Sequence, residues 1–315
     1  MATVERRGDS ETGGSRRAGG VVSAAGLGPV GEPRPRTETW EPAHNRRLTA
    51  SIIEFAALRR GFTNWPSLVC AIVLGRLRGQ PPGLHLRARG GFIAWTPTGD
   101  RSWWTIVETM GADTYRLASM ELPETPTVLD IGANLGGFTL ALLRHRPRAR
   151  VAAYEPSPFA FAACRENLSQ NGLTEQVTLS PSAVTGRSAE RLTLYQDRGD
   201  TCTSTLLPGN HDATPVQPVE VAAVTLTEAV LACDADIDLL KLDVEGAEYD
   251  IILGTPPDVL RRVHRIVLEY HPVPGSTVAQ LASHLAAAGF SWERQEHAAL
   301  VDQGLGWWRR ARATP

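Results

Sequence analysis

Short apolar runs that alternate with helical patterns constrain the fold of this chain most strongly. After Thr125, the run "TVLDIG" (127–132) precedes the helical segment "FTLALLRH", and "RVAAYEP" (150–156) precedes "SPFAFAACRENLSQNG". The runs "VTLSPSAV", "DLLKLDV" and "RIVLEYH" supply three further parallel strands, and "FSWERQE" with "GWWRRAR" supplies a closing antiparallel pair. This alternation predicts an α/β fold with a doubly wound, mostly parallel seven-stranded sheet whose last strand is antiparallel.

A glycine-rich loop follows the first of these strands. The segment "LDIGANLGGFTL" places Asp130 and Gly132 at a strand end and Gly136 at a helix start, where open α/β sheets bind ligands. A dinucleotide site needs a glycine where this chain has Asn134, because the backbone must approach the pyrophosphate there. S-adenosylmethionine has no phosphate, and its ammonium, carboxylate and ribose suit the pattern D-x-G-x-N-x-G. We therefore predict that these four residues bind S-adenosylmethionine, with Asp130 attracting the ammonium directly or through water.

The next two strand ends extend the predicted cofactor site. Glu155 ends the second strand at roughly the 20-residue separation from the loop that suits an acid bound to both ribose hydroxyls. The third strand should end near the adenine, which makes Ser182 and Ala183 candidates for the wall of the adenine pocket. The loop together with a strand-end acid is stronger evidence for a nucleoside ligand than the glycines alone.

A cluster of acids follows the fourth predicted parallel strand. The run "LLKLDVEGAEYDIILG" (239–254) begins as a buried strand and then carries four carboxylates. Side chains two apart on a strand share a face, so Asp243 and, if the extended backbone persists, Glu245 should point the same way as Lys241. Glu248 and Asp250 fall in the first turns of the next helix, where the helix dipole stabilises negative charge. Part of the cluster is therefore helix-start chemistry, whereas Asp243 should face the reactive methyl group.

Methyl transfer to an alcohol requires a base or a metal ion, because an aliphatic hydroxyl is protonated at neutral pH. The fifth strand brings Glu269 and His271 to the same edge as Asp243 and Glu245. His271 has an intrinsic pKa of about 6.5 and can accept the proton. Alternatively, Asp243 and Glu269 hold a divalent cation such as Mg²⁺, which lowers the pKa of the alcohol. We predict Asp243, Glu245 and His271 as catalytic residues, and the sequence leaves the base and the cation as alternatives.

Composition limits the partners of the chain. Its 315 residues carry 32 Lys and Arg against 34 Asp and Glu, and a net charge of −2 attracts neither nucleic acid nor an anionic membrane. The longest apolar run, "LVCAIVLG" (68–75), is shorter than the ~20 residues of a membrane span. The charged N-terminus is not followed by the apolar segment of a secretory signal. We expect a soluble cytoplasmic protein whose partner is a small-molecule hydroxyl acceptor, with no nucleic acid and no membrane.

The chain divides into three predicted regions. Residues 1–44 are rich in Gly, Arg, Pro, Ser and Thr and are predicted to form a disordered tail. Residues 45–100 form an N-terminal extension of two amphipathic helices and a hairpin. The apolar faces of residues 48–77 must cover the main domain or a second subunit, so a homodimer is compatible with them. Residues 101–315 form the domain with the alternating strands and helices.

Four motifs together resemble a known family. "VLDIGANLGGFTL", "YEPSP", "LLKLDVEGAEYDIILG" and "VLEYHP", in this order and spacing, are similar to those of the FkbM family of S-adenosylmethionine-dependent methyltransferases, and K-x-D-x-E-G-x-E is the most specific element. The resemblance covers about residues 100–295. It implies a class I methyltransferase fold and, usually, O-methylation of a hydroxyl on a sugar, polyketide or other specialised metabolite. The functional residues that it implies are Asp130, Gly132, Asn134, Gly136 and Glu155 for the cofactor, and Asp243 and Glu245 for the active site.

Two other functions remain as alternatives. A non-catalytic protein that binds S-adenosylmethionine or acts as a scaffold would keep the fold without turnover to S-adenosylhomocysteine. A nucleic-acid methyltransferase is disfavoured, since the segment after the fourth strand reads "DVEG" instead of [ND]-P-P-[YFW]. The loop "TCTSTLLPG" resembles a hydroxyl-rich turn of the family, which makes Thr203 and Ser204 candidate contacts to substrate or cofactor.

Overall fold

Strands and helices alternate along the residues that the computed structural model describes, which are 37–39, 49–196, 199–206, 217–297 and 303–311. The strands are β1 (Thr37–Thr39), β2 (Leu84–Arg87), β3 (Ile93–Thr96), β4 (Thr127–Ile131), β5 (Arg150–Tyr154), β6 (Val177–Ser180), β7 (Ser182–Thr185), β8 (Arg191–Gln196), β9 (Gln217–Thr225), β10 (Leu239–Leu242), β11 (Arg265–Tyr270), β12 (Phe290–His297) and β13 (Gly304–Arg310). The helices are α1 (Thr49–Gly61), α2 (Trp65–Arg78), α3 (Trp103–Val107), α4 (Gly137–His145), α5 (Pro158–Gln170), α6 (Leu226–Leu231), α7 (Glu248–Gly254), α8 (Pro257–Leu260) and α9 (Val278–Ala287).

The main sheet has the order β1, β12, β13, β11, β10, β4, β5, β6. β6, β5, β4, β10 and β11 pair in parallel, and β13 runs antiparallel to both of its neighbours, β11 and β12. The predicted fold class is confirmed. The doubly wound, mostly parallel sheet of a class I methyltransferase is formed by seven strands, namely β4, β5, β6, β10, β11, β12 and β13. β1 adds a short edge strand parallel to β12. Apart from Thr37–Thr39, the predicted tail of residues 1–44 lies outside the described residues.

The third parallel strand differs from the single run predicted by "VTLSPSAV". Pro181 separates β6 from β7, because proline has no N–H to donate to a sheet ladder. β6 stays at the edge of the main sheet, whereas β7 pairs with β9 in a second sheet of order β7, β9, β8. The chain therefore turns away from the main sheet just where the cofactor site was predicted.

Helices cover both faces of the main sheet, as a doubly wound fold requires. α4 and α5 pack on one face together with α1, α2 and α3, and their side chains join one apolar core that includes Phe62, Leu86 and Phe138. α6, α7, α8 and α9 pack on the other face in a second core. β4 and β10 lie between the two cores and are buried along almost their whole length, which explains their continuous apolar sequences.

The N-terminal extension docks on the first face through α5. Ser157 caps that helix by accepting from the Ala160 N–H, and Pro158 occupies its first turn, as the sequence predicts. The buried Asn167 side chain then accepts from the Trp95 N–H at 2.7 Å and donates to the Trp95 and Leu135 carbonyl oxygens at 3.0 and 2.9 Å. One amide thus joins the β2–β3 hairpin, α5 and the glycine-rich loop.

Apolar side chains of α1 and α2 remain at the surface. Leu77 is 79% exposed, and Phe55, Val73 and Leu74 are exposed to lesser degrees. The homodimer suggested by residues 48–77 stays a prediction. Within the described part of the chain, no helix combines the length and the hydropathy that a membrane crossing needs.

We predict that Asn167→Ala lowers the free energy of unfolding by roughly 2–4 kcal/mol, because buried backbone groups of the hairpin and the loop lose their partners. Gln170→Ala, on the exposed side of the same helix, should change it by less than about 0.5 kcal/mol. Urea unfolding measures both values, and hydrogen exchange of the Trp95 amide reports on the hairpin. Equal stabilities of the two variants would show that Asn167 does not anchor the extension.

Candidate active site

A cavity opens to solvent at the carboxyl ends of β4, β5 and β10, and its empty space, including the part open to solvent, is about 850 Å³. Its walls come from the glycine-rich loop, from β7, from residues 201–206 and from the segment that begins with α3. This edge is where the sequence predicts a ligand, because the strand order reverses between β4 and β10. Both predicted halves of the site therefore meet in one cavity.

The glycine-rich loop lies against the end of β10. Gly132 has φ +78°, and a Cβ at this position would collide with the carbonyl oxygen of Asp243. Asn134 also adopts a left-handed conformation, with φ +49°, and its side chain accepts from the Leu135 N–H. Gly132 and Asn134 line the cavity, as their predicted cofactor role requires. Gly136 does not: its Cα faces Cys164 of α5, so its freedom serves the turn into α4.

Asp130 lies beneath the loop rather than on the cavity wall. It is fully buried, its Oδ2 accepts from the Thr139 hydroxyl at 2.6 Å, and its Oδ1 lies 3.3 Å from the Lys241 ammonium. The β4–β10 register pairs Asp130 with Lys241, which places this ammonium between Asp130 and the ligand space. Asp130 therefore has no direct contact with the cavity, and its predicted attraction of the cofactor ammonium through water stays a prediction.

Lys241 is the buried cation of the site. Its Nζ donates to the Gly132 carbonyl oxygen at 2.6 Å and lies 3.8 Å from Oδ2 of Asp243. Burial alone would lower the pKa of Lys241, but the carboxylates of Asp130 and Asp243 outweigh it and raise the pKa above its ordinary value. The side chain stays charged and fixes the loop against both strands.

Glu155 stands at the cavity edge where the ribose was predicted. One of its oxygens accepts from the Asn134 N–H at 2.7 Å, and the other accepts from the Ser157 N–H at 2.8 Å. Burial raises the pKa of Glu155 to about 7, although both backbone donors oppose this shift. Each carboxylate oxygen keeps a second lone pair for a hydroxyl of the ligand.

Ser182 and Ala183, the predicted adenine wall, lie at the start of β7 and line the cavity. Val184 and Leu194 add apolar surface beside them, which suits a flat heterocycle. Ser204, from the hydroxyl-rich loop, also lines the cavity, and its buried Oγ has no hydrogen-bond partner within the described part of the chain. The side chain of Thr203 lies outside the described residues.

Asp243 follows β10 and opens into the cavity, with 26% of its side chain exposed. The Tyr115 hydroxyl donates to its Oδ2 at 2.8 Å. Burial, then the nearby Asp243 carboxylate, raises the pKa of Tyr115 well above its ordinary value, so the phenol keeps its proton. This bond orients Asp243 and leaves its Oδ1 for another partner.

The backbone after Asp243 is not extended. The condition under which Glu245 would share the strand face of Asp243 and Lys241 is therefore not met. Glu245 has φ +53° and Gly246 has φ +104°. The fully buried carboxylate of Glu248 holds the turn by accepting from the Val244 and Gly246 N–H groups at 3.0 Å each. Glu245 nevertheless reaches the cavity wall, because the turn and not the strand pleat aims it there.

His271 lies behind Glu245 and does not line the cavity. Its Nδ1 is 2.9 Å from Oε1 of Glu248, and its Nε2 is 3.3 Å from Oε2 of Glu245. Burial would lower the pKa of His271, but the carboxylates of Glu245 and Glu248 raise it well above its ordinary value. Both ring nitrogens therefore act as donors to carboxylates, and His271 is placed to orient Glu245 rather than to meet an acceptor.

The predicted metal pair, Asp243 and Glu269, is not the group that converges. Among the described residues, ligand atoms of Asp243, Glu245 and His271 lie within 4.8 Å of one another. Glu269 lies 3.8 Å from Nε2 of His271 and accepts from the Gln303 amide at 3.0 Å. Burial, with the nearby Asp243 charge, raises its pKa to about 8.

The sequence motifs assigned no functional role to three side chains of this cavity, namely Tyr115, Glu108 and Lys241. Tyr115 and Glu108 come from the segment before β4, in which the family resemblance marks no single functional residue, and both line the cavity. Burial, then the Asp243 charge, raises the pKa of Glu108 to about 8. The period-two spacing did place Lys241 on the face of Asp243, and this was the one signal for its role.

Comparison with known proteins identifies the family of this chain. The family described as "Methyltransferase FkbM domain" matches residues 130–292. The "31-O-demethyl-FK506 methyltransferase FkbM" of Streptomyces tacrolimicus is 28% identical over 205 residues, which cover 56% of this chain and 77% of the relative. The "2-O-methyltransferase NoeI" of Sinorhizobium fredii is 32% identical over 165 residues, which cover 48% of this chain and 65% of the relative. A crystal structure of "Methyltransferase FkbM from Methylobacillus flagellatus KT" has a TM-score of 0.40 and 10% identity to this chain, and the match covers 66% of this chain and 53% of that chain.

We predict that Gly132→Ala lowers the free energy of unfolding by roughly 3 kcal/mol or more, because the added Cβ separates β4 from the Asp243 backbone. Gly79→Ala is the matched control, since Gly79 has φ +68° and no atom within 4 Å of an added Cβ. Backbone strain alone should then cost the control about 1 kcal/mol. Chemical unfolding of both variants without ligand measures the difference, and equal losses would refute the close packing of the loop.

Proposed function

Because this chain belongs to the FkbM methyltransferase family, we propose that it transfers a methyl group from S-adenosylmethionine to a hydroxyl group of a small molecule. The carrying observation is that Asp243, at the end of β10, faces the same cavity as the glycine-rich loop and Glu155. A carboxylate for the acceptor and a binding site for a nucleoside thus share one enclosed space.

The residues of the cavity suit this cofactor. Glu155 has lone pairs for the two ribose hydroxyls, and Ser182 and Ala183 offer a wall for the adenine. The buried Ser204 hydroxyl lacks a hydrogen-bond partner among the described residues, which is unusual unless a ligand or water supplies one. When bound, S-adenosylmethionine supplies an electrophilic methyl group on a positively charged sulfur.

Asp243 is the base in this proposal. Its Oδ2 is held by the Tyr115 hydroxyl and faces the Lys241 ammonium, so its Oδ1 can accept the hydrogen bond of the acceptor hydroxyl. Asp243 would take the proton of the acceptor hydroxyl when that oxygen is methylated, and S-adenosylhomocysteine would be the second product. The apolar ring of Phe138 lines the same cavity.

Glu245, His271 and Glu248 support this base. Glu248 holds His271 through Nδ1, and His271 in turn holds Glu245 through Nε2. The paired charges keep Glu245 on the cavity wall beside Asp243, where it can orient the acceptor. His271 therefore contributes as a positioning residue in the proposed mechanism.

A divalent cation is not needed for this mechanism. One imidazole and two carboxylates form a donor set that divalent metals accept, with Asp243, Glu245 and His271 as the ligands. However, an Nε2 that donates to Glu245 has no lone pair for a metal, and the adjoining carboxylates favour that protonated form. Binding a cation here would therefore require His271 to lose its Nε2 proton, and the proposed mechanism does not use such a cation.

The acceptor is proposed to be a hydroxylated specialised metabolite, such as a sugar or a polyketide. Two relatives support this class through their names, since one is named for 31-O-demethyl-FK506 and the other for 2-O-methylation. The net charge of −2 also suits a small acceptor better than nucleic acid.

We predict that Asp243→Asn lowers turnover to S-adenosylhomocysteine by about 100-fold or more, which is the usual contribution of a general base. Turnover is measured with isotopically labelled S-adenosylmethionine and a panel of hydroxylated metabolites. Binding of S-adenosylhomocysteine, measured by calorimetry, should change by less than about threefold, because the base is not needed to hold the product.

Asp236→Asn is the matched control, since Asp236 is an exposed partner of Arg262 outside the cavity, and it should leave turnover unchanged. Full turnover of the Asp243 variant would reject Asp243 as the base. Binding without turnover on any acceptor in the wild type would favour the non-catalytic alternative.

We also predict that removal of divalent cations with EDTA leaves turnover unchanged, because no proposed step uses a metal. In calorimetry, addition of Mg²⁺ should give the same heat with the wild type and with Glu245→Gln, because neither binds the cation at this site. Loss of activity on chelation, with recovery on Mg²⁺ addition, would restore the metal interpretation of Asp243 and its neighbours.

A further inference from the structure

Glu108 is a carboxylate that the mechanism has not used. It begins a π-helical turn, Glu108–Ala112, that continues α3 and ends at Asp113, whose φ is +55°. The side chain of Glu108 lines the cavity and has no ion-pair partner among the described residues. Glu108 also precedes residues 130–292, which the family model matches. An isolated carboxylate in a largely enclosed site is costly unless a ligand or a proton compensates it.

The charged groups of the cavity are unbalanced. Four described acids line it, namely Glu108, Glu155, Asp243 and Glu245, against the single ammonium of Lys241. Lys241 is already shared by Asp130 and Asp243. Glu155 has two backbone donors, and Glu245 has His271. The Trp104 indole opposes the rise in the pKa of Glu108, but no cation pairs with Glu108 among the described residues, so a cationic ligand group would compensate its charge.

The position of Glu108 in the cavity indicates which part of the cofactor lies near its carboxylate. Its turn packs on the start of α4, since a Cβ at Gly137 would crowd the Thr109 hydroxyl and the Thr105 carbonyl oxygen. Asp243 is the strongest charged neighbour of Glu108, whereas Glu155 marks the ribose side. Glu108 thus lies on a segment that packs beside the loop, within range of the Asp243 charge.

Resting on the proposed function, we propose that Glu108 is a cofactor-binding residue whose carboxylate pairs with the ammonium of the amino-acid portion of S-adenosylmethionine. The pair is a charge-assisted hydrogen bond between an anion and a cation in a water-poor site. The ammonium is common to S-adenosylmethionine and S-adenosylhomocysteine, so Glu108 holds cofactor and product alike. It takes the role that the sequence had assigned to Asp130, which Lys241 neutralises.

The test measures binding rather than activity. Glu108→Gln removes the charge and keeps the shape, and it should raise the dissociation constant of S-adenosylhomocysteine roughly tenfold to hundredfold. Methylthioadenosine carries the same nucleoside without the amino acid, so its affinity should not change. Glu166→Gln, on the exposed face of α5, is the matched control and should bind both ligands as the wild type does.

A second ligand keeps the test decisive if Glu108→Gln does not fold. The wild type should bind an S-adenosylhomocysteine analogue that lacks only the amino group at least about tenfold more weakly than the product itself. The role of Glu108 would be overturned if the wild type bound the product and the analogue without the amino group with equal affinity. It would also be overturned if Glu108→Gln lost equal affinity for the product and for methylthioadenosine. If the wild type bound neither nucleoside, the proposed cofactor itself would be refuted, which is a distinct result.

Discussion

The ammonium of Lys241 joins the elements on which the site depends. It lies 3.3 Å from Asp130 on β4, donates to the Gly132 carbonyl oxygen at 2.6 Å, and lies 3.8 Å from Asp243 after β10. It also lies 5.9 Å from the ring centres of Tyr115 and Phe138. Removing one member of a buried ion pair leaves an uncompensated charge, so the fold and the cavity share the same requirement for this lysine.

The other acids divide between the fold and the cavity in the same way. Asp250 accepts from the Gly186 N–H and the Thr185 hydroxyl, which ties α7 to β7, and Glu248 holds the turn after β10. Both are helix-start acids, as the sequence suggested, yet each binds specific backbone groups. The acids that remain, Asp243 and Glu245, face the ligand space. The acid-rich run is therefore a set of structural carboxylates around two functional ones.

The sequence predicts the local features of this protein and misses the distant ones. Apolar runs identified the strands, and the pattern D-x-G-x-N-x-G identified the loop, because both depend on neighbouring residues. The burial of Asp130 depends on its register with Lys241, 111 positions further along the chain, which no local pattern encodes. Tyr115 reaches Asp243 across 128 positions for the same reason. The direction of Glu245 depends on a left-handed backbone at a residue that is not glycine.

The two ends of the cavity are built by different kinds of chain segment. Gly132, Glu155 and Ser182 come from one continuous stretch of strands and crossovers, so the nucleoside end follows from the fold. The opposite wall combines the α3 segment with residues 201–206, and the buried Asp100 joins them by accepting from the Ser102 and Thr201 N–H groups and hydroxyls. Because Asp100 is fully buried, each lost donor would leave its charge less compensated. This wall is therefore held by a polar network of its own, separate from the bonds that hold the glycine-rich loop.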